Sequence, residues 1–402
     1  MRYLLVLLCL ASVAASRAAD ATILVQGQSH AGNPTIFVTP VKDDRKMTDL
    51  LRSTLTYSDW FRALRKKAAA DYVLTFSVSA GGGSHHLQLT DKSGSEVVSL
   101  ETPVGAGSTD TQVYADIDKL LRAVFQTPGL CEARLAYVKE LDGVKEIYTA
   151  DFNGANPRPV TANDTLSVEP QWGGDRRHLV YTLYRRFNTD IVLVDLAMGR
   201  RRRLTQSIGL NSGAALSNRG DRVAMTLSRG RNVDLYVMNL PRDEPRQLTA
   251  TDGLEASPCW SPDDRKLCFV SDRQGRPRLY LMPAAGGAPQ RLLANPGECV
   301  SPSWSVAANK ICFAMRQGQR YVIAMVEMSN GTLPIDEFKV LVDEPGDWES
   351  PAWAPDGRHI VCSRTTGRSG KTLYMIDSLF GTLVPLQNFT GNDTSPTYSP
   401  LP

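Results

Sequence analysis

One short motif returns along this chain at nearly constant intervals, and nothing else in the sequence restricts the fold as strongly. It reads Pro258-Cys259-Trp260-Ser261-Pro262-Asp263, then Pro302-Ser303-Trp304-Ser305, then Pro351-Ala352-Trp353-Ala354-Pro355-Asp356, with an earlier copy at Pro170-Gln171-Trp172. Placing Leu216 in the same slot puts anchors at 172, 216, 260, 304, 353 and finally Tyr398, spaced by 44, 44, 44, 49 and 45 residues. A chain with such a period buries its apolar surface by stacking copies of one unit, so a propeller or a solenoid is implied before any functional motif is considered.

The register holds between anchors. An aliphatic residue opens a strand seven residues after each of the first five, at Leu179, Val223, Leu267, Ile311 and Ile360. A second strand follows in "DIVLV", "DLYVM", "RLYLM" and "TLYMI", and a third in "RRLTQ", "RQLTA" and "QRLLA". The intervening Pro-Asp-Gly and Gly-Asp stretches are turn compositions, because Gly and Asp tolerate the backbone angles of tight reversals. Four short antiparallel strands per repeat are the mark of a β-propeller; a solenoid would need capped ends. The longer 49-residue spacing is assigned to an extended last reversal in "VEMSNGTLPIDEFKVL". Residues 131–161 supply three strands with no anchor, and "SPTYSPLP" at 395–402 supplies an anchor with no strands behind it. Six blades result only if the C-terminal strand returns to the first, which also removes an exposed sheet edge.

The N-terminal region does not repeat. Residues 1–18, "MRYLLVLLCLASVAASRA", have an early Arg2, an apolar stretch and small residues at Ser16 and Ala18, the pattern of a secretory signal peptide. Residues 19–128 are read as a small α/β domain, and residues 129–402 as the propeller. In the α/β domain strands are expected at 22–26 and 35–39, helix over 43–70 with an interruption at 56–58, and a three-strand meander from Asp71 to Thr102. A last helix follows, with Thr109 and Gln112 at capping-box spacing and Val113, Ile117, Leu120, Leu121, Val124 and Phe125 on one stripe.

Charge excludes some functions. Lys and Arg total 45 against 42 Asp and Glu, far from the basic excess of a nucleic-acid binder. No later segment has the apolar length of a membrane span. Without Cys9 of the leader, six cysteines remain, scattered and without a C-x-x-C pair; they read as buried free thiols, with one bridge left open. His85 and His86 are adjacent on a strand and point to opposite faces, and His30, His178 and His359 sit in or beside turns, so all five are expected to be solvated rather than catalytic or metal-binding. "GRSGKT" at 367–372 lacks the first glycine of a phosphate-binding loop and leads into a strand. No G-x-S-x-G elbow occurs, and with the ring read to the end of the sequence the hydrolase domain that follows such propellers in prolyl-oligopeptidase-like enzymes is not expected here.

The order of signal peptide, α/β domain and six blades, the repeat "SPDDRKLCFVSDRQGRPRLYLMPAAGGAPQRLL" at 261–293, the "YSP" ending and the opening "ATILVQGQSHAGNPTIFVTP" at 21–40 together resemble the TolB family. The resemblance covers essentially the whole chain after the leader. It implies a monomeric periplasmic scaffold of the Tol-Pal system rather than an enzyme, without cofactor or resident metal. Such proteins bind the lipoprotein Pal at one mouth of the propeller and TolA through an extended N-terminal arm, supporting envelope integrity and cell division. Carried over by position, the mouth comprises Glu169, Leu210, Gly213, Glu255, Ser257, Glu298, Ser301, Asp347, Glu349 and Asp393, and the arm contact Thr22, Ile23, Leu24 and Val25. The acidic members suit a basic partner segment or a cation such as calcium. The arm carries little charge, so β-strand addition is its expected mode. Two departures stand out: Ser257 where the family commonly has an acid, and Ala214 with Leu216 where it has proline and an aromatic. A propeller that binds a carbohydrate or peptide in its channel is the alternative reading, and a hydrolase the weakest.

Overall fold

The computed structural model describes residues 32–402 apart from 207, 230, 231, 242, 329–332, 366, 368, 369 and 390. The leader and the arm strand expected at 22–26 therefore lie outside the described residues. The chain divides into two compact units, the first ending at Cys131 and the second running from Glu132 to Pro402. No helix among the described residues is long and apolar enough to cross a membrane.

The first unit is a five-stranded sheet with two helices. Its strands are β1 (Thr35–Val38), β2 (Arg62–Leu64), β3 (Tyr72–Val78), β4 (Ser84–Asp91) and β5 (Glu96–Pro103), in the order β2-β1-β3-β4-β5. Helix α1 (Arg45–Ser58) is capped by the Asp44 side chain, which accepts the Met47 N–H, and stops at Asp59, whose φ is 51°. The expected helix over 43–70 is thus half right. Beyond the stop, residues 62–64 pair in parallel with β1, because Trp60 and Phe61 are drawn into an aromatic cluster with Phe125 and a continued helix would turn them out of it. Helix α2 (Thr109–Phe125) has Ser108, not Thr109, as its cap, accepting from Thr111 N; Gln112 instead reaches back to the Gly105 N–H at 2.8 Å.

The second unit is six four-stranded antiparallel sheets arranged as blades. The innermost strands are Ser167–Trp172, Asn211–Leu216, Glu255–Trp260, Cys299–Trp304 and Asp347–Trp353 for blades 2 to 6. Blade 1 is completed from the far end of the chain: Asn392–Tyr398 pairs with Arg134–Leu141, setting Thr394 opposite Val138 and Tyr398 opposite Leu135. The ring expected from the repeat register is closed in this way.

Each of the first five anchors acts as a wedge between its own blade and the one before. Trp260 packs with Ala215, Ala224, Leu235 and Val237 of blade 3, Trp304 with Leu279 and Leu281 of blade 4, and Trp172 with Ala136 and Ile147 of blade 1. Removing a buried ring of this kind costs about 3–5 kcal/mol, so the motif recurs for packing. Two indoles also tie blades directly: Trp172 Nε1 donates to Thr397 O at 3.2 Å and Trp260 Nε1 to Ala215 O at 2.9 Å. Leu216 keeps the apolar contact in blade 3 without that polar tie. The six described cysteines are free thiols, all buried except the half-buried Cys259.

Candidate functional site

In every inner strand the ladder to the second strand slips, as between Ser212 and Ala215 or between Val300 and Ser303. At each slip stands one residue in the left-handed region: Glu169, Gly213, Ser257, Ser301, Ser350 and Ser395, with φ between 49° and 58°. These are β-bulges, and the residue that follows is proline in five blades, which has no N–H for the ladder to miss. Ala214 fills that place in blade 3, where glycine carries the bulge at no steric cost. For the five other residues the conformation costs roughly 1–2 kcal/mol each. The cost recurs at the same position in the ring, and backbone strain of this kind is often kept at ligand-facing sites.

All six bulge residues line one cavity of about 160 Å³, together with Gln171, Ser303 and Ala352. Four serines, one glycine and one glutamate thus face a common axis. Glu169 Oε2 accepts the Gly213 N–H and the Thr182 hydroxyl, each at 2.9 Å, so the one carboxylate of the ring is held across the junction of blades 2 and 3. An adjoining cavity of about 340 Å³ shares Ser301, Ser350 and Ser395 and adds Lys145, Tyr321, Glu349, Ser363, Lys371 and Thr394. There Lys371 Nζ lies 2.6 Å from Glu349 Oε2. The pair is about one-third exposed, so it fixes two side chains more than it adds stability.

The residues carried over from the resemblance divide into two groups. Glu169, Gly213, Ser257 and Ser301 converge on the channel cavity, and Glu349 with Ser301 lines the wider one. Glu255 is fully buried, its Oε1 accepting from Thr251 Oγ1 at 3.0 Å, Ser271 Oγ at 2.8 Å and Arg273 Nη2 at 3.0 Å. Asp393 is buried as well. Both stand five residues before their anchors, a position also occupied by Ser167, Asn211, Cys299 and Trp348, all of them buried. Leu210, Glu298 and Asp347 line neither cavity: Glu298 Oε2 pairs with Arg316 at 3.3 Å, and Asp347 Oδ1 accepts the Tyr321 N–H at 2.9 Å. The expected collar of carboxylates is therefore a mixed surface of hydroxyls, two carboxylates and two lysines. Among the described residues, no three acidic groups of the mouth come within ligand reach of one another.

Lys145, Tyr321 and Lys371 were not anticipated. They sit at the starts of third strands, beyond the reversals that return the chain to the same end as the loops entering the inner strands. Strand direction was the signal for them. Lys371 comes from "GRSGKT", which supplies a lysine to the mouth although it is no phosphate loop.

Two histidines correct the expectation of solvated rings. His85 is 6% exposed, with Nδ1 2.6 Å from Asp116 Oδ2, and Asp116 also accepts from Thr102 Oγ1 at 2.6 Å. His359 is fully buried with Nδ1 2.6 Å from Asp356 Oδ2. Burial alone would raise the Asp356 carboxyl, but His359 outweighs it and holds the group below its ordinary range. Pairing with a carboxylate is what lets these polar rings enter the core.

The family model for the TolB β-propeller domain matches residues 122–402. Curated relatives include the Tol-Pal system protein TolB of Desulfosudis oleivorans, 27% identical over 189 residues (40% of this chain, 42% of the relative). Another is the protein of the same name from Chromobacterium violaceum, 26% identical over 227 residues (50% and 53%). The matched stretches thus span about half or less of these relatives. A crystal structure of TolB from Acinetobacter baumannii superposes with a TM-score of 0.82 at 22% identity, over 92% of this chain and 97% of that one, a likeness of fold.

Proposed function

This chain belongs to the TolB β-propeller family, and on that premise we propose that it is a monomeric, non-enzymatic component of a Tol-Pal system, acting in the periplasm as an interaction scaffold. The propeller mouth binds a Pal-type lipoprotein. The N-terminal arm, through Thr22, Ile23, Leu24 and Val25, takes up a TolA-type protein by strand addition. Together the two contacts support outer-membrane integrity and cell division. The observation that carries the reading is the ring of six bulge residues, five of them strained, on one cavity: hydroxyls and backbone groups held rigidly around an axis suit the polar tip of a partner.

The test is binding of the full-length protein to the Pal-type lipoprotein of the same genome. Charge reversal belongs at Glu169→Lys and Lys371→Glu, because Glu255 is buried and its reversal would act through the fold. Affinity should fall about tenfold or more; unaltered binding by a normally melting double variant would remove the mouth from the reading. Ile23→Pro should abolish capture of the TolA-type partner alone.

A small ligand is the second reading, favoured by the 340 Å³ cavity with its two lysines and three serine hydroxyls from the ring. It requires thermal stabilisation by a carbohydrate or peptide with no protein partner present.

A further inference from the structure

Blade 2 ends in an outer strand, Arg200–Arg203, that is four consecutive arginines. The outer strands of the other blades read RP, RQ, QR, KVLV and LVP. Beside this strand, among the turns that follow the inner strands of blades 2 and 3, lies a cavity of about 610 Å³. Leu193, Leu216, Leu240 and Pro241 supply apolar lining, and Arg200, Arg201, Arg202 and Arg219 also border it.

The local sequence accounts for the space. After Trp172 the chain reads Gly173-Gly174, where blades 4 and 6 have Ser261-Pro262 and Ala354-Pro355. A Cβ on Gly173 would lie 3.2 Å from Leu216 Cδ1, and one on Gly174 only 1.7 Å from Asn218 O. The two turns approach closely, and Gly173 and Gly220 put no side chain into the gap.

The charge of the groove is not internally balanced. Asp195 is held by Arg177, whose Nε donates to Oδ1 at 2.7 Å and whose Nη2 reaches Oδ2, and Asp175 is held by His178 and two backbone N–H groups at 3.0 Å. Arg202 donates to Pro241 O at 2.6 Å, a neutral acceptor. Arg201, on the opposite face of the strand, turns its guanidinium toward blade 1 and donates to Asn163 Oδ1 at 3.1 Å and Val160 O at 2.7 Å. Arg200, Arg202 and Arg219 are thus the cations of the groove. Among the described residues no acid pairs with Arg200, Arg201, Arg202 or Arg219. The arginine strand is also an edge: its sheet runs outward from the inner strand and ends there, so alternate backbone N–H and C=O groups point away from any partner.

We infer that this groove binds an extended acidic peptide segment of a partner protein, whose carboxylates meet the arginines, whose apolar side chains enter between the blades, and whose backbone adds to the edge of blade 2. Guanidinium groups match carboxylates in two-point geometry, and strand addition supplies the backbone bonds. A membrane surface is the less fitting occupant, because a plane of phosphates cannot follow a concave groove and offers no strand to the edge. Arginines also protect edges against mispairing, but protection alone would call for no apolar cavity.

The probe is a short fluorescein-labelled peptide alternating glutamate and leucine, titrated into the full-length protein and read by anisotropy, with the lysine-for-glutamate peptide as control. The acidic peptide should bind saturably, more weakly as salt rises, and about tenfold or more weaker to an Arg200→Glu, Arg219→Glu variant. Both side chains are at the surface, so the variant should melt like the parent. Equal affinity of parent and variant, or equal binding of the basic peptide, overturns the inference. So does sedimentation with phosphatidylglycerol vesicles when the peptide fails to bind.

Discussion

Tyr398 donates its phenolic hydrogen to the carbonyl of Phe152 at 2.7 Å, joining two residues 246 positions apart. Ser399 repeats the tie, donating its N–H to Arg134 O at 2.8 Å and accepting the Arg134 N–H on Oγ at 2.9 Å. The end of the chain is thus the innermost strand of the first blade. Tyr398→Phe removes this buried hydrogen bond and should cost about 0.5–1.5 kcal/mol. Deleting residues 392–402 should abolish the single cooperative transition in calorimetry; a truncated protein that melts like the parent would contradict closure.

Glu255 and Arg273 form the most enclosed ion pair of blade 4, at 3.0 Å with side chains 0% and 19% exposed. Arg273 also lies over the rings of Tyr280 and Phe269, 4.8 and 5.7 Å from their centroids. Glu255→Ala strips a largely enclosed guanidinium of its counter-charge and should cost about 3 kcal/mol in denaturant unfolding. The loss should exceed that of Glu349→Ala, whose pair is about one-third exposed. Equal losses would mean that burial does not distinguish the two carboxylates.

Why these two glutamates differ marks how far the sequence can be read. The six blades were legible because bulky apolar wedge residues recur at a nearly constant period, and ring closure followed from the leftover strands at the two ends. The mouth was less legible. Glu169, Glu349 and Glu255 stand three, four and five residues before their anchors, and strict alternation would put the first and last on one face. The bulge at the third position breaks that alternation, so Glu169 meets the channel while Glu255 enters the space between blades. A one-residue slip leaves little trace in composition; the serine or glutamate before the proline, and Gly213 before Ala214, are its only sign. His85 and His359 were misjudged for a similar reason, since the carboxylates that admit them to the core come from α2 in one case and from the preceding turn in the other.

Gly174 measures how closely the turns of blades 2 and 3 approach. Its hypothetical Cβ lies 1.7 Å from the Asn218 carbonyl oxygen and 2.7 Å from the carbonyl carbon. Both obstacles are backbone, so nothing flexible can yield. Gly174→Ala should destabilise by about 1–3 kcal/mol or more, whereas Gly391→Ala, with nothing within 4 Å of the added carbon, should be near neutral. The pair of melting temperatures tests the interblade geometry directly.

Asp393 makes stability depend on pH in the direction opposite to most carboxylates. It is 1% exposed, and neither oxygen finds a hydrogen-bond partner of good geometry among the described residues. Burial pushes its carboxyl above the ordinary range, against the pull of Lys139 and the Gly391 backbone. The folded state therefore holds this proton more tightly than the unfolded chain does. Its contribution is fully present below the unfolded pKa and is lost as pH rises through the folded one. At neutral pH the buried charge is a burden on the closing strand. Asp393→Asn, similar in size and uncharged, should raise the melting temperature at pH 7, and the gain should shrink toward zero as the pH is lowered past the ordinary carboxylate range. A gain that is constant with pH would assign the effect to packing, and a loss at pH 7 would show that Lys139 stabilises the charge after all.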